Sequence, residues 1–366
     1  MTLKSDKYKL GNLIDNSLKM SERKEDHINI CKSHDIESKR DGRITAKLKP
    51  CPLPEIDFEN IDTKQVFLNE VFSLPLLITG MTGGVKKGEK INNVLGCIAS
   101  EFNIPMGLGS QKMMILNPEF EHLFDVKKKY PKVFLIGNIG AVSFNYGISP
   151  DRLCKVIESF KLNAFAVHIN ALQECIQPEG ERNFYGLLSK IQEFVKISPV
   201  PVIVKEVGSG MTQEACQSLI SAGVKVIDVG GKGGTSWSII EGLRSKASVQ
   251  RLGALFKNWG FTTLESVLEC TKACLLNKDK SIDIIATGGI RSGIDVAKMV
   301  ASGATMAGVG LPFFRAATSS DSWDLAYDAV LKELLFFKHS IEIAMFCSGA
   351  LCVKDLPKCV DILEEI

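Results

Sequence analysis

The stretch Ser281–Pro312, SIDIIATGGIRSGIDVAKMVASGATMAGVGLP, decides how the chain is read. Its apolar run Ile282–Ala286 meets a turn, Gly288-Gly289-Ile290-Arg291-Ser292-Gly293, and a helical pattern over Ile294–Ala301 follows. A second apolar run, Thr305–Val309, closes on Gly310-Leu311-Pro312. Two strands joined by a helix, each strand ending in glycine, present backbone N–H groups with no side chain in the way. Such donors beside a helix N-terminus favour a phosphate dianion. In an eight-stranded α/β barrel the loops after strands seven and eight are the usual phosphate site. Six more such units are therefore expected upstream.

Apolar runs do recur, at Leu74–Ile78, Ile104–Leu108, Val133–Ile136, Ala164–His168, Val202–Val204 and Val224–Val229. Their length and β-branched content suit parallel strands buried on both faces. Amphipathic segments separate them, at Lys86–Ser100, Asp151–Phe160, Phe184–Ile197, Thr212–Ala222 and Ile294–Ala301. Residues Gly242–Asn277 exceed one helix, so unit six carries an insertion or a second helix. The apolar stretch Leu325–Met345 is read as the last barrel helix plus a capping helix. Eight alternations over roughly 240 residues have the span of an α/β fold of the (β/α)8 TIM-barrel class. An open doubly wound sheet would concentrate its glycines at one crossover. Here polar or glycine-containing groups close nearly every strand.

The expected organisation is an N-terminal extension, residues 1–70, covering one end of the barrel and reaching its substrate site. Residues 71–366 then form the barrel with its C-terminal helices. The segment Lys49-Pro-Cys-Pro-Leu-Pro54 is too rich in proline for a helix or central strand. A net charge of +2 gives no general pull toward nucleic acid or an anionic membrane. No apolar run reaches the ~18 residues of a membrane span, and the polar N-terminus has no signal-like core. Eleven scattered cysteines, an odd number, argue for reduced thiols and a cytoplasmic location rather than a disulfide framework. Cys270-Thr-Lys-Ala-Cys274 lacks a second pair and reads as helix packing, not a metal site.

The strand ends carry Thr79-Gly-Met-Thr-Gly-Gly84, Gly109-Ser-Gln-Lys112, Gly137-Asn138, His168-Ile-Asn170, Lys205-Glu206 and Gly230-Gly-Lys-Gly-Gly-Thr235. Asn138 or His168 alone would pass for a turn former or a core histidine. Lys205, directly after the apolar run Val202–Val204, is costly to bury without an anionic or strongly polar partner. In a barrel all these ends share one mouth. A phosphate cradle, a lysine opposite and amide groups between them suit a phosphorylated flat cofactor: flavin mononucleotide (FMN), or a sugar or pyridoxal phosphate. A second anion site is suggested by Arg23-Lys24, by Ser110-Gln111-Lys112 and by the loop His168–Gly180. Cations there could clamp a diphosphate, with Glu174 holding Mg2+ that the diphosphate completes.

These residues fall into ordered motifs. They are Arg23-Lys-x-x-His27, Ile78-Thr-Gly-Met-Thr-Gly-Gly84, Met106-Gly-Leu-Gly-Ser-Gln111 and His168-Ile-Asn-x-x-Gln-Glu-x-x-Gln-Pro-Glu-Gly180. Lys205-Glu-Val-Gly-x-Gly210, Gly233-Gly-Thr-Ser-Trp237 and Gly288-Gly-Ile-Arg-Ser-Gly293 follow. From about Ser21 to Leu356 the chain resembles the type 2, FMN-dependent isopentenyl-diphosphate Delta-isomerases. The resemblance implies interconversion of isopentenyl and dimethylallyl diphosphate in isoprenoid biosynthesis, with FMN reduced by NAD(P)H and with Mg2+. It implies substrate contacts from Arg23, Lys24, Ser110, Gln111, Lys112 and Gln173, with His168 and Asn170 close by, and Glu174 as the metal ligand. FMN contacts would come from Thr79, Gly80, Met81, Thr82, Ser110, Asn138, Lys205, Gly230 and Thr235, and phosphate contacts from Gly289, Ile290, Arg291, Gly310 and Leu311. Lys205 would hold charge on the reduced ring, Gln173 would orient substrate or water, and Glu241 would be a proton relay. A homotetramer or homo-octamer is implied as well.

Three positions depart from the family pattern. Lys112 stands for the usual arginine, Gly230 for serine, and Trp259-Gly-Phe-Thr-Thr263 for Trp-Gly-Ile-Pro-Thr. The rival reading is an FMN-dependent TIM-barrel oxidoreductase of the 2-hydroxy-acid oxidase type. That chemistry needs a His-x-x-Arg pair after strand seven, and the segments Phe261–Leu276 and Ala286–Arg291 contain no histidine.

Overall fold

A computed structural model describes residues 20–42, 44–277 and 281–364. Eight parallel strands close into a barrel: β1 (Leu76–Ile78), β2 (Met106–Gly107), β3 (Leu135–Gly140), β4 (Ala164–His168), β5 (Val202–Lys205), β6 (Val226–Asp228), β7 (Asp283–Thr287) and β8 (Met306–Val309). Each overlaps one of the apolar runs of the sequence, though β3 starts two residues later than its run and continues to Gly140. Register places Lys205 beside Asp228 and His168 beside Lys205, so neighbouring strands deliver polar ends to the same level.

The outer helices form where amphipathic patterning coincides with a stop or start signal. Helix Gln213–Ser221 begins at Thr212, whose side chain accepts from Ala215 N. Helix Gly293–Ala301 begins at Ser292, with a reciprocal box to Asp295. The expected insertion in unit six is two helices, Trp237–Leu243 and Ala247–Leu255, ahead of Thr263–Leu276. Unit two has no long helix. Asn117-Pro118 interrupts it, leaving Lys112–Leu116, a 3-10 segment and Val126–Lys129. The C-terminal expectation needs correction: Trp323–Ser348 is one 26-residue helix, since no proline or glycine breaks it.

The extension reaches both ends of the barrel, not one. A helix over residues 20–33 carries Arg23 and Lys24 into the wall of the cavity at the C-terminal mouth. The hairpin Gln65–Phe67/Glu70–Phe72 packs at the opposite end. There Phe67 and Phe72 form a separate core with Leu77, Ile136, Ala164, Ile203, Val226, Ile285 and Met306, from the first halves of the strands. Leu68 N donates to Asp283 at the start of β7, and the Gln65 amide donates to Thr305 O just before β8. Strand Ile44–Leu48 pairs antiparallel with Val360–Glu364, tying the extension to the C-terminus.

Cys216 and Cys270 are joined as a disulfide with Cα atoms 5.6 Å apart, which corrects the all-thiol reading at one pair. The cause is packing: helices Gln213–Ser221 and Thr263–Leu276 lie side by side and both cysteines are fully buried. Cys31, Cys51, Cys97, Cys154, Cys175, Cys347, Cys352 and Cys359 are free thiols. No helix among the described residues is long and apolar enough to cross a membrane.

Phe67 has no exposed surface. Replacing Phe67 with alanine empties the barrel floor and should lower unfolding stability by roughly 3–5 kcal/mol. A denaturant midpoint equal to that of the unaltered protein would show that the hairpin is not part of the barrel core.

Candidate active site

A cavity of about 670 Å³ opens at the C-terminal ends of the strands. Its wall gathers Arg23, Lys24, Thr79, Gly80, Met81, Ser110, Lys112, Asn138, His168, Asn170, Gln173, Glu174, Lys205, Gly230, Thr235, Gly289, Ile290, Arg291, Gly310 and Leu311. These are twenty of the residues singled out in the sequence. Three others stand behind the wall.

Gln111 is fully buried and bonds to the backbone of β3: its Oε1 accepts from Asn138 N at 3.1 Å. That bond fixes Asn138 instead of meeting a ligand. Thr82 is buried as well, with its carbonyl accepting from Gly109 N at 3.0 Å. Glu241 has no exposed surface and does not line the cavity. It accepts from His27 Nε2 at 3.0 Å, from Gln173 Nε2 at 2.9 Å and from the Arg244 guanidinium. Burial alone would push its carboxyl up, but the His27 hydrogen bond and Arg244 outweigh it and hold it down at about 2. Its three partners hold it in place behind the wall. Its geometry is that of an anchor.

At the floor, Asn138 Nδ2 donates to Leu108 O at 3.0 Å, which turns Oδ1 toward His168 Nδ1, 2.8 Å away. His168 therefore carries its proton on Nδ1 and leaves Nε2 as an acceptor. Burial, with Lys205, Lys24 and Lys112 nearby, pushes its pKa down to about 3, so the ring is neutral. Lys205 Nζ donates to Glu206 O at 2.6 Å and faces Asp228 Oδ2 at 3.7 Å. Asp228, unmarked in the sequence reading, is buried below the wall and accepts from Thr287 Oγ1 and Gly230 N.

The β7 and β8 ends make a bare backbone surface. Gly289 has φ +73°, and a Cβ there would stand 2.5 Å from the Gly233 carbonyl. Only glycine fits. Gly230 has φ +49° and a Cβ there would meet the Glu206 carbonyl at 2.1 Å. The serine usual in the family cannot adopt this backbone without moving that carbonyl. Arg291 lines the wall, and its guanidinium donates to Glu37, 2.8 Å from Nε.

Across the cavity, cations and acids alternate. Among the described residues, Arg23 Nε and Asn170 Oδ1 are buried without a hydrogen-bond partner. Lys24 is half-buried, and burial with repulsion from Arg23 pushes its pKa down to about 8. Lys112 pairs with Glu181. Glu174 accepts from Asn170 Nδ2 at 2.8 Å and from Glu181 N at 2.6 Å, and burial raises its carboxyl. No group of three or more metal-binding side chains occurs among the described residues. A single carboxylate suits Mg2+ that takes its other ligands from diphosphate oxygens and water. Arg244, also missed in the sequence, links Glu241 to Glu179 at 3.0 Å and to Asp26 at 3.6 Å. Nothing in its local spacing marks it.

The model of the FMN-dependent dehydrogenase family matches residues 169–360. Isopentenyl-diphosphate delta-isomerase of Rickettsia typhi is 40% identical over 339 residues, covering 92% of this chain and 96% of that protein. The Rickettsia bellii protein of the same name is 39% identical, with the same coverage. Among solved structures, a flavocytochrome b2 variant with sulfite bound superposes with TM-score 0.61 at 17% identity, over 92% of this chain and 82% of that one. A mandelate oxidase variant with a monooxide FMN adduct gives TM-score 0.55 at 16% identity, over 87% and 88%. At such identity the likeness is one of fold. The chain belongs to the isopentenyl-diphosphate delta-isomerase family, in the form built on an FMN-dependent dehydrogenase barrel.

Proposed function

We propose that this protein interconverts isopentenyl diphosphate and dimethylallyl diphosphate by a 1,3-allylic proton shift, using reduced FMN and Mg2+. The observation that carries the reading is one cavity with two separate anion-holding surfaces: the bare backbone of the β7 and β8 loops, and the Arg23–Lys24–Lys112 cluster. One surface suits the phosphate of FMN and the other the substrate diphosphate. When bound, reduced FMN would supply an electron-rich ring edge able to give and take the proton.

The chain's own groups divide the remaining work. Lys205 at the floor favours negative charge on the ring. The unpartnered Arg23 Nε and the Lys24 ammonium offer donors to the diphosphate, and Glu174 offers Mg2+ one oxygen. Gln173, tied to Glu241 and to Asn170 Nδ2, 3.1 Å from its Oε1, has a fixed amide that orients substrate or water. Neutral His168 is no acid near pH 7; its Nε2 accepts. NAD(P)H is the reductant we assign, the assembly a homotetramer or homo-octamer, and the compartment the cytoplasm.

Dehydrogenation of a 2-hydroxy acid is the second reading, supported by the barrel's likeness to oxidases. It needs a histidine base with an arginine after β7, and the histidines of the wall are His27 and His168. The deciding experiment is an anaerobic assay of protein loaded with FMN, before and after reduction by dithionite. Isomerisation only after reduction is expected. Absence of isomerisation in the reduced protein, with turnover of 2-hydroxy acids in the oxidised one, would overturn the proposal.

Two further outcomes follow from the wall. Glu174→Gln should raise the half-saturating Mg2+ concentration at least roughly tenfold, and an unaltered Mg2+ titration would remove Glu174 as a ligand. Lys24 is charged below its pKa of about 8 and loses that charge as pH rises through it. Binding of inorganic pyrophosphate to the loaded protein should therefore be strongest below that pH. Above it, binding should weaken by up to about tenfold per pH unit. In Lys24→Arg the inflection should vanish; its persistence would assign it to another group.

A further inference from the structure

Three strands bring Lys205, Asp228 and Thr287 together under the cavity, and the middle residue is the least exposed. Asp228 keeps 3% of its surface, while Lys205 and Thr287 reach the wall above it. Its two carboxylate oxygens have separate duties. Oδ1 accepts from Thr287 Oγ1 and from Gly230 N at 3.2 Å, which fixes the carboxylate plane. Oδ2 is left facing Lys205 Nζ at 3.7 Å. The lysine's other near contact is a neutral carbonyl, Glu206 O at 2.6 Å. His168, its register partner on β4, is uncharged. Asp228 is thus the nearest countercharge to the ammonium, and Glu206 directs its own Oε2 to the backbone N–H groups of Val207, Gly208 and Ser209.

We propose that Asp228 is a positioning residue that holds the Lys205 ammonium at the cavity floor and, by partly neutralising it, sets how strongly this protein favours reduced over oxidised FMN. The inference rests on the FMN reading above. A buried carboxylate beside Lys205 subtracts from the positive field felt by a ring lying there. Removing its charge while keeping its shape exposes the full field of the ammonium. Negative charge on the reduced ring then becomes easier to hold.

The test is the midpoint potential of bound FMN in four proteins: unaltered, Asp228→Asn, Lys205→Met and the double variant. Asp228→Asn should favour reduced over oxidised FMN about tenfold more than the unaltered protein does, a rise of ~30 mV for a two-electron couple. Lys205→Met should move the potential the opposite way. In the double variant the effect of Asp228→Asn should largely disappear, which a merely structural role would not produce. Asp228→Ser gives the same reading should the amide variant fail to fold. An unshifted potential in Asp228→Asn, or a shift that survives unchanged without Lys205, overturns the inference while leaving the FMN reading intact. An unaltered protein that takes up no FMN ends both.

Discussion

Glu241 is a carboxylate with no exposed surface, and its ionised state is tolerable only because three elements send donors to it. His27 comes from the helix over residues 20–33, Gln173 from the helix after β4, and Arg244 from the end of Glu241's own helix. His27 also packs edge-on against Trp237, with ring centroids 5.2 Å apart. The same helix carries Arg23 and Lys24, so the buried carboxylate sets where the cationic wall stands. Loss of any donor leaves a buried charge short of partners. The helix over residues 20–33 is therefore part of the cavity wall and not an appendage to it.

The floor obeys the same rule with signs exchanged. Lys205 is a cation at a strand end, Asp228 is its buried counter-ion, and His168 beside it is kept neutral by burial and by the surrounding lysines. Any positive potential in the cavity has to arise from such local placement, since the whole chain carries only +2. At the opposite rim the potential comes from backbone dipoles, where Gly289 keeps the peptide surface free of side chains. Two surfaces of different construction, each suited to an anion, thus face one volume. That is what a phosphorylated cofactor and a diphosphate substrate require together.

Much of this was legible in the chain. Parallel strands buried on both faces must be short apolar runs, and all eight stood out for that reason. Their polar ends followed, because closure of a barrel sends every strand's C-terminal end to one mouth. What stayed hidden depends on side-chain direction, which spacing does not encode. Gln111 and Ser110 are adjacent, yet Ser110 lines the cavity while Gln111 turns back to the Asn138 backbone. The depth of Glu241 inside the wall stayed hidden because it is set by partners 68 and 214 residues away. Asp228 lies inside the run Val224–Val229 and gains its meaning only from register with Lys205. The Phe67 and Phe72 plug was masked by the polar composition around it.

One cavity holding both ligands at once is the claim on which the functional reading turns. A crystal structure of the protein with FMN and inorganic pyrophosphate tests it most directly. The flavin phosphate should rest against Gly289, Ile290, Gly310 and Leu311, with Lys205 beneath the ring and the pyrophosphate between Arg23, Lys24 and Glu174. Pyrophosphate found elsewhere on the surface, or a flavin whose phosphate occupies the Arg23–Lys24 wall, would contradict it.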